Sequence, residues 1–236
     1  MAFSLAMGDP FELSRRMLAR ISVAAAQPPR ERAKISVVSR PGRWREIATE
    51  FLQDCRVFQV RRTTSESPDG ASRHDFFRID STDWVNVVPV TVEGQVVMVR
   101  QYRHGARKDT LEVPGGMVDP GESPSQAAAR ELLEETGYRA QQIERLGSVN
   151  PNPALFGNRL HCFLATGAKR VAEIANGPTE HTVVELHSPA KLRELTRAGE
   201  IDHALVLATL HYLDLKRESD GGGPSRVPPA GGSNGA

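Results

Sequence analysis

Residues 111–138 read LEVPGGMVDPGESPSQAAARELLEETGY, and the reading of the whole chain turns on them. The second half predicts a helix with both ends marked. Ser123 suits the N-cap, Pro124 the first helical position, and Gln126 completes an S-x-x-Q capping box. Ala127, Ala128 and Ala129 favour the helical state. Gly137 suits the left-handed residue that ends it. At about 100° per residue, Glu135 falls about 40° to one side of Glu131 and Glu134 about 60° to the other. Leu132, Leu133, Ala129 and Thr136 then form the arc expected to face the core.

Three carboxylates on one helical face repel one another by a few tenths of a kcal/mol per pair. Such a face is commonly just a solvated surface. Within this helix, however, the one base is Arg130. A hard divalent cation would turn the repulsion into binding, and an all-oxygen cluster suits Mg2+ or Mn2+. The Pro114-Gly115-Gly116 run ahead of the helix allows the main chain to come close, so that a backbone carbonyl can join the ligand set.

Outward from this stretch, the 236 residues hold 39% hydrophobic and 25% charged side chains, enough for a packed core. No apolar run nears the roughly 18 residues that span a bilayer, so no membrane span is expected. Thirty Lys and Arg balance 29 Asp and Glu, which argues against a nucleic-acid or lipid-coating protein. The two cysteines, Cys55 and Cys162, are too few for a disulfide framework and suit a reducing compartment, the cytoplasm. Residues 1–34 read as a flexible N-terminal extension in which FELSRRMLARISV could form a short amphipathic helix, and 218–236 as a Gly/Pro/Ser-rich disordered tail.

Between the tails, β-rich runs are expected at 57–62, 75–79, 84–91, 95–102, 159–165 and 182–187. A two-residue Glu93-Gly94 connection predicts a hairpin between the third and fourth. Further helices are expected at 189–197, capped by Ser188, and at about 202–216. Strands mixed with helices predict an α+β layered fold.

Gly116, Glu122, Arg130-Glu131-Leu132, Glu134-Glu135 and Gly137, at their spacings, resemble the Nudix box of the Nudix hydrolases. The seven fixed identities, Leu132 aside, are all present; the final, usually aliphatic position is Tyr138. The resemblance implies an α/β/α sandwich with a mixed β-sheet. It implies cleavage of a nucleoside diphosphate linked to another group, with Mg2+ (or Mn2+) as cofactor. Glu131 and Glu135 would be metal ligands, with Glu134 supporting them and the Gly115 carbonyl adding another. Glu122 and Arg130 would form an ion pair holding the loop to the helix. Clustered metals neutralise phosphate charge, activate water and stabilise the leaving phosphate.

The flanks, VRQYR at 99–103, LEVPGG at 111–116, Pro153 and NPNPALFGNRLHCFLA at 150–165, resemble the ADP-ribose and nucleoside diphosphate sugar pyrophosphatase branch. That likeness implies a homodimer built through a small N-terminal β-rich subdomain, here residues 35–83, ahead of a catalytic domain at 84–217. Arg103 becomes a candidate phosphate contact through its planar guanidinium. Glu112 is a candidate to hold that Arg or to accept a sugar hydroxyl. Both have an ordinary strand-end ion pair as the alternative. Phe76, Phe77, Trp84 and Tyr102 are possible base-stacking residues, although strand aromatics are more often core. Glu180, in GPTEHTVVEL (177–186), is the candidate base or extra metal ligand, with His181 beside it as a substitute and Glu185 expected to be structural. Rival readings are a dinucleoside polyphosphate or coenzyme A substrate, or a Nudix module that senses a nucleotide without cleaving it. The lack of an obvious basic arm argues against RNA decapping.

Overall fold

The computed structural model describes residues 41–221. The N-terminal extension and its amphipathic helix, and residues 222–236 of the tail, lie outside the described residues. Two sheets organise the chain. The first is three-stranded and antiparallel: β1 (Arg45–Asp54), β2 (Gln59–Glu66) and β3 (Arg73–Asp80), in that order. The second is eight-stranded. Its path runs from β11 (Thr182–His187) through β5 (Val96–Arg103), β4 (Trp84–Thr91) and β10 (Leu160–Arg170) to β8 (Tyr138–Arg139). β10 runs parallel to β4 and antiparallel to β9 (Gln142–Val149), so the sheet is mixed.

Helices cover both faces. α1 (Pro124–Thr136) packs Ala127, Ala128 and Leu132 on Val85, Val87, Phe163 and Ala165. α2 (Pro189–Arg197) and α3 (Ala204–Ser219) pack Leu192, Leu195, Val206 and Leu213 on Val88, Val96 and Met98 of the opposite face. The alternation in β4 follows the two-residue period of a strand buried on both sides. This is the expected α/β/α sandwich.

The sheet splits where the site forms. β4 and β5 pair at Val90–Val96 and then diverge. Into the gap fit β6 (Lys108–Glu112), which pairs with β5, and β7 (Gly115–Met117), which pairs with β4. Trp84 and Arg103, at the far ends of β4 and β5, therefore stand on opposite lips of one opening.

Four local expectations are revised. The β4–β5 connection has four residues, 92–95, not two: Thr91 N–H donates to the Gln95 carbonyl, Gly94 N–H donates to the Thr91 carbonyl, and Gly94 takes φ 79°. β1 has no counterpart among the expected runs; all ten of its residues are exposed, which leaves no alternation to read. Ala129 is exposed while Glu135 is buried, because the sheet wraps further round α1 than a simple polar–apolar division allows. α3 runs on to Ser219, so the first residues of the expected tail are helical.

Candidate active site

α1 ends as its sequence requires. Ser123 and Gln126 form the reciprocal capping box, with the Ser123 N–H donating to Gln126 Oε1 at 2.9 Å. Gly137 takes φ 73° and donates to the Leu133 carbonyl at 2.8 Å. The fixed helix presents Glu131, Glu134 and Glu135 to a cleft of about 1120 Å3 that opens through the split sheet.

Glu135 is 3% exposed, and its Oε2 accepts the Gly115 N–H at 2.9 Å. Glu131 lies directly against Gly116. A Cβ at Gly116 would collide with the Glu131 carboxylate, and one at Gly115 with the Val85 carbonyl. Both glycines are therefore needed for close approach. Arg130 joins the pieces. It donates two hydrogen bonds to Glu122, at 3.1 and 3.0 Å, one to Glu131 at 2.8 Å, one to Glu134 at 3.1 Å and one to the Met117 carbonyl at 2.9 Å. The expected Glu122–Arg130 pair is present, and the same guanidinium also holds two of the helix carboxylates. Tyr138 packs beside the α1 core.

The electrostatics are those of a site short of positive charge. Burial pushes the Glu135 carboxyl up to about 8; the Gly115 N–H opposes this, and the charges of Glu131 and Glu180 add to it. Burial also raises Glu131, against the pull of Arg130 and with the help of Glu134 and Glu180. Glu122 is held below the usual range by its hydrogen bond to Arg130.

Glu180 reaches this cluster through its loop. The Ala175 N–H donates to the Glu134 carbonyl, and the Thr182 hydroxyl to that of Glu135, both at 2.8 Å. These tethers bring Glu180 into the same cleft wall as Glu131, Glu134 and Glu135. His181 is exposed and does not line the cleft. Glu185, on β11, pairs with His187 of the same strand and with Arg100 of β5.

Arg103 faces the acidic wall. Its guanidinium forms a fork with Glu112, both hydrogen bonds 2.7 Å, and the Thr110 hydroxyl donates to Glu112 at 2.6 Å. Burial alone would raise Glu112, but Arg103 outweighs it and holds the carboxyl below its usual range. Of the weighed aromatics, only Trp84 lines the cleft, packed edge-on against Phe156 at 5.5 Å. Phe76 packs on Trp44 and Tyr102 on His104, while Phe77 is exposed. Phe58, Phe156 and His203 also line the cleft and were not among the expected residues. They come from three distant segments with no shared motif.

Among the described residues, no three His, Cys, Asp or Glu side chains already stand as a ready-made metal cage. The reason is visible: Glu131 is turned onto Arg130 and Glu135 onto the Gly115 N–H. The donor set still fits a hard divalent ion. It is all oxygen, and burial raises the carboxyls of Glu131 and Glu135 despite the nearby guanidinium groups, so an added cation would favour their charged forms. Without metal, Glu135 holds a proton in the fold that the unfolded chain, with the ordinary value of 4.5, releases. Its contribution is present at acidic pH and is lost as pH rises through about 8. The chelator-treated protein is therefore expected to melt at lower temperature at pH 8.5 than at pH 5.5. Glu135→Gln should flatten the difference, as read by calorimetry of both proteins.

A split mixed sheet flanked by helices, with a Glu-rich helix beside a Gly-Gly turn, defines a class, and the comparisons agree with it. The Nudix-domain family matches residues 81–210, and the chain belongs to the Nudix family, which makes it a hydrolase acting on phosphoanhydride bonds. It is 35% identical to the methanol dehydrogenase activator of Bacillus methanolicus over 72% of this chain and 92% of that protein. It is 30% identical to the ADP-ribose pyrophosphatase of Bacillus subtilis, again over 72% and 92%. With the ADP-sugar pyrophosphatase of Mus musculus it shares 28% identity over 82% and 96%. The crystal structure of an ADP compounds hydrolase superposes with a TM-score of 0.69 at 23% identity, covering 77% of this chain and 98% of that one, which matches the fold.

Proposed function

We propose that the protein hydrolyses the diphosphate of ADP-ribose or a nucleoside diphosphate sugar, giving a nucleoside monophosphate and a sugar phosphate, with Mg2+ (or Mn2+) as cofactor. The observation that carries this is the pairing of an acidic wall, Glu131, Glu134, Glu135 and Glu180, with Arg103 across one cleft. A diphosphate needs both: cations held by the carboxylates and a guanidinium for its remaining charge. The relatives named for ADP-ribose and ADP-sugar hydrolysis support the substrate class.

Glu131 and Glu135 would hold the metal, with the Gly115 carbonyl adding a further ligand. A bound metal would lower the pKa of a water and neutralise phosphate oxygens. Glu180, on a tethered loop beside the cluster, takes the proton from the attacking water. Arg103 orients the diphosphate, and Glu112, with Thr110, keeps the guanidinium fork in place. Glu122, Arg130, Gly116 and Gly137 keep loop and helix together. Trp84 and Phe156 offer an aromatic lip for the base.

Residues 84–217 form the catalytic domain. Residues 35–83 form a dimerisation subdomain, an assignment supported by exposed Phe51 and Phe77 on its three-stranded sheet and exposed Trp44 just ahead of it. The partners are thus the small-molecule substrate and a second copy, with neither nucleic acid nor membrane involved. No described helix is long and apolar enough to cross a membrane. The free cysteines Cys55 and Cys162 fit a cytoplasmic setting.

Incubation with Mg2+ and a panel of ADP-ribose, nucleotide sugars, dinucleoside polyphosphates and coenzyme A, with products separated by chromatography, tests this. AMP and ribose 5-phosphate from ADP-ribose are the expected products. Binding without turnover, or preference for the polyphosphates, would contradict the proposal.

A further inference from the structure

Asn86 is a polar residue inside β4, where Val85, Val87 and Val88 are buried. A carboxamide there needs partners for its N–H groups. α3 supplies them. Asn86 Nδ2 donates to the Leu205 carbonyl at 3.3 Å and to the Thr209 hydroxyl at 3.1 Å. Thr209 is 0% exposed, and its own hydroxyl hydrogen goes to the Leu205 carbonyl at 2.8 Å, so toward Asn86 its oxygen accepts. The Leu205 carbonyl can only accept as well. The amide nitrogen of Asn86 must therefore face α3, and Oδ1 must face the other way.

What Oδ1 faces is Gly115. The two residues are cross-strand partners in the β4–β7 pairing, so their side-chain positions share one face. Gly115 has no side chain, and Asn86 takes that place: a Cβ at Gly115 would stand 2.6 Å from Asn86 Oδ1. Gly115 also gives its N–H to Glu135, and its carbonyl is the proposed backbone ligand. This residue is thus held from the α1 side by Glu135 and from the α3 side by the Asn86 carboxamide. Thr209 itself does not line the cleft. We propose that Thr209 and Asn86 are positioning residues for the metal site. Thr209 fixes the Asn86 carboxamide, and the carboxamide sets the main chain at Gly115, from which the carbonyl and Glu135 take their places. This rests on the reading of α1 and Gly115 as a divalent-cation site and extends that site to a buried hydroxyl on α3.

The test reads Mn2+ binding directly, by titration calorimetry, beside melting curves and kinetics over a range of Mg2+. Thr209→Val keeps the shape and removes the hydroxyl, Thr209→Ser keeps the hydroxyl, and Asn86→Ala removes the carboxamide. Cys162→Ala disturbs the same core, since Cys162 Sγ meets the Thr209 hydroxyl at 3.3 Å, but leaves both Asn86 bonds in place. Removing a group that orients metal ligands costs about 10- to 100-fold in metal affinity. Thr209→Val and Asn86→Ala should therefore raise the Mn2+ dissociation constant about tenfold or more, and saturating Mg2+ should restore most of the lost rate. Thr209→Ser and Cys162→Ala should bind Mn2+ within about twofold of the unaltered protein, whatever they do to the melting temperature. Unchanged Mn2+ affinity in Thr209→Val and Asn86→Ala, or an equal loss in Cys162→Ala, would overturn the positioning role and leave the metal site standing. No Mn2+ binding by the unaltered protein would defeat the metal site and the positioning role together.

Discussion

Glu135→Gln is expected to lower kcat by about three orders of magnitude or more, with the fold retained. The amide keeps the shape and can still accept the Gly115 N–H, so packing on the sheet survives. It cannot supply the charge that holds a divalent ion. Metal-ion catalysis contributes several kcal/mol of transition-state stabilisation, and about 4 kcal/mol corresponds to about 10^3 in rate. Glu131→Gln should behave alike, since Glu131 lies against Gly116 on the same wall. Glu135→Gln should melt, in chelator at pH 8, no lower than the unaltered protein, because it removes a buried acid whose only hydrogen-bond donor is the Gly115 N–H. Steady-state kinetics in Mg2+ beside melting curves checks both halves; retained full activity would remove these carboxylates from the metal site.

Arg103→Ala is expected to lower kcat/KM about 100-fold or more and also to destabilise the fold. The two effects have one origin. In the proposed complex the guanidinium meets the diphosphate on its exposed side; on its buried side it neutralises Glu112, whose side chain is 4% exposed. Removing it strands a carboxylate with only Thr110 as donor. Breaking a fully buried pair costs about 3–5 kcal/mol. Because Arg103 is itself 43% exposed, solvent screens part of the interaction, and a loss of about 2 kcal/mol is expected. Arg103→Lys should recover charge but not the two-pronged geometry, restoring stability more than rate. Denaturant unfolding and kinetics on the same preparations test the coupling; an unchanged kcat/KM in Arg103→Ala would leave Arg103 a structural strand-end pair.

The parts of this molecule readable from sequence are those set locally. The start and end of α1 depend on Ser123, Pro124, Gln126 and Gly137, all within the helix or one residue beyond it. The Glu131–Glu134–Glu135 spacing is equally local, as is the alternation in β4. What depends on pairing between distant segments was less legible. The split between β4 and β5 exists because β6 and β7 enter it, and no periodicity in either strand announces that. Glu135 is buried by the approach of Gly115 from another strand, although a helical projection alone places it on a polar face. Glu180 could be named as a candidate, but what carries it to the cluster is two hydrogen bonds from Ala175 and Thr182 to the end of α1. Phe58, Phe156 and His203 meet in one cleft only after the chain has folded.

The carboxylates of α1 are expected to hold a divalent ion against a diphosphate. Crystals grown with Mn2+ and an uncleavable ADP-ribose analogue, measured at the manganese edge, decide it. Anomalous density between Glu131, Glu135 and the diphosphate oxygens, with Glu131 swung away from Arg130, is the expected result. Bound analogue with no anomalous density there, and Glu131 still on Arg130, would contradict it.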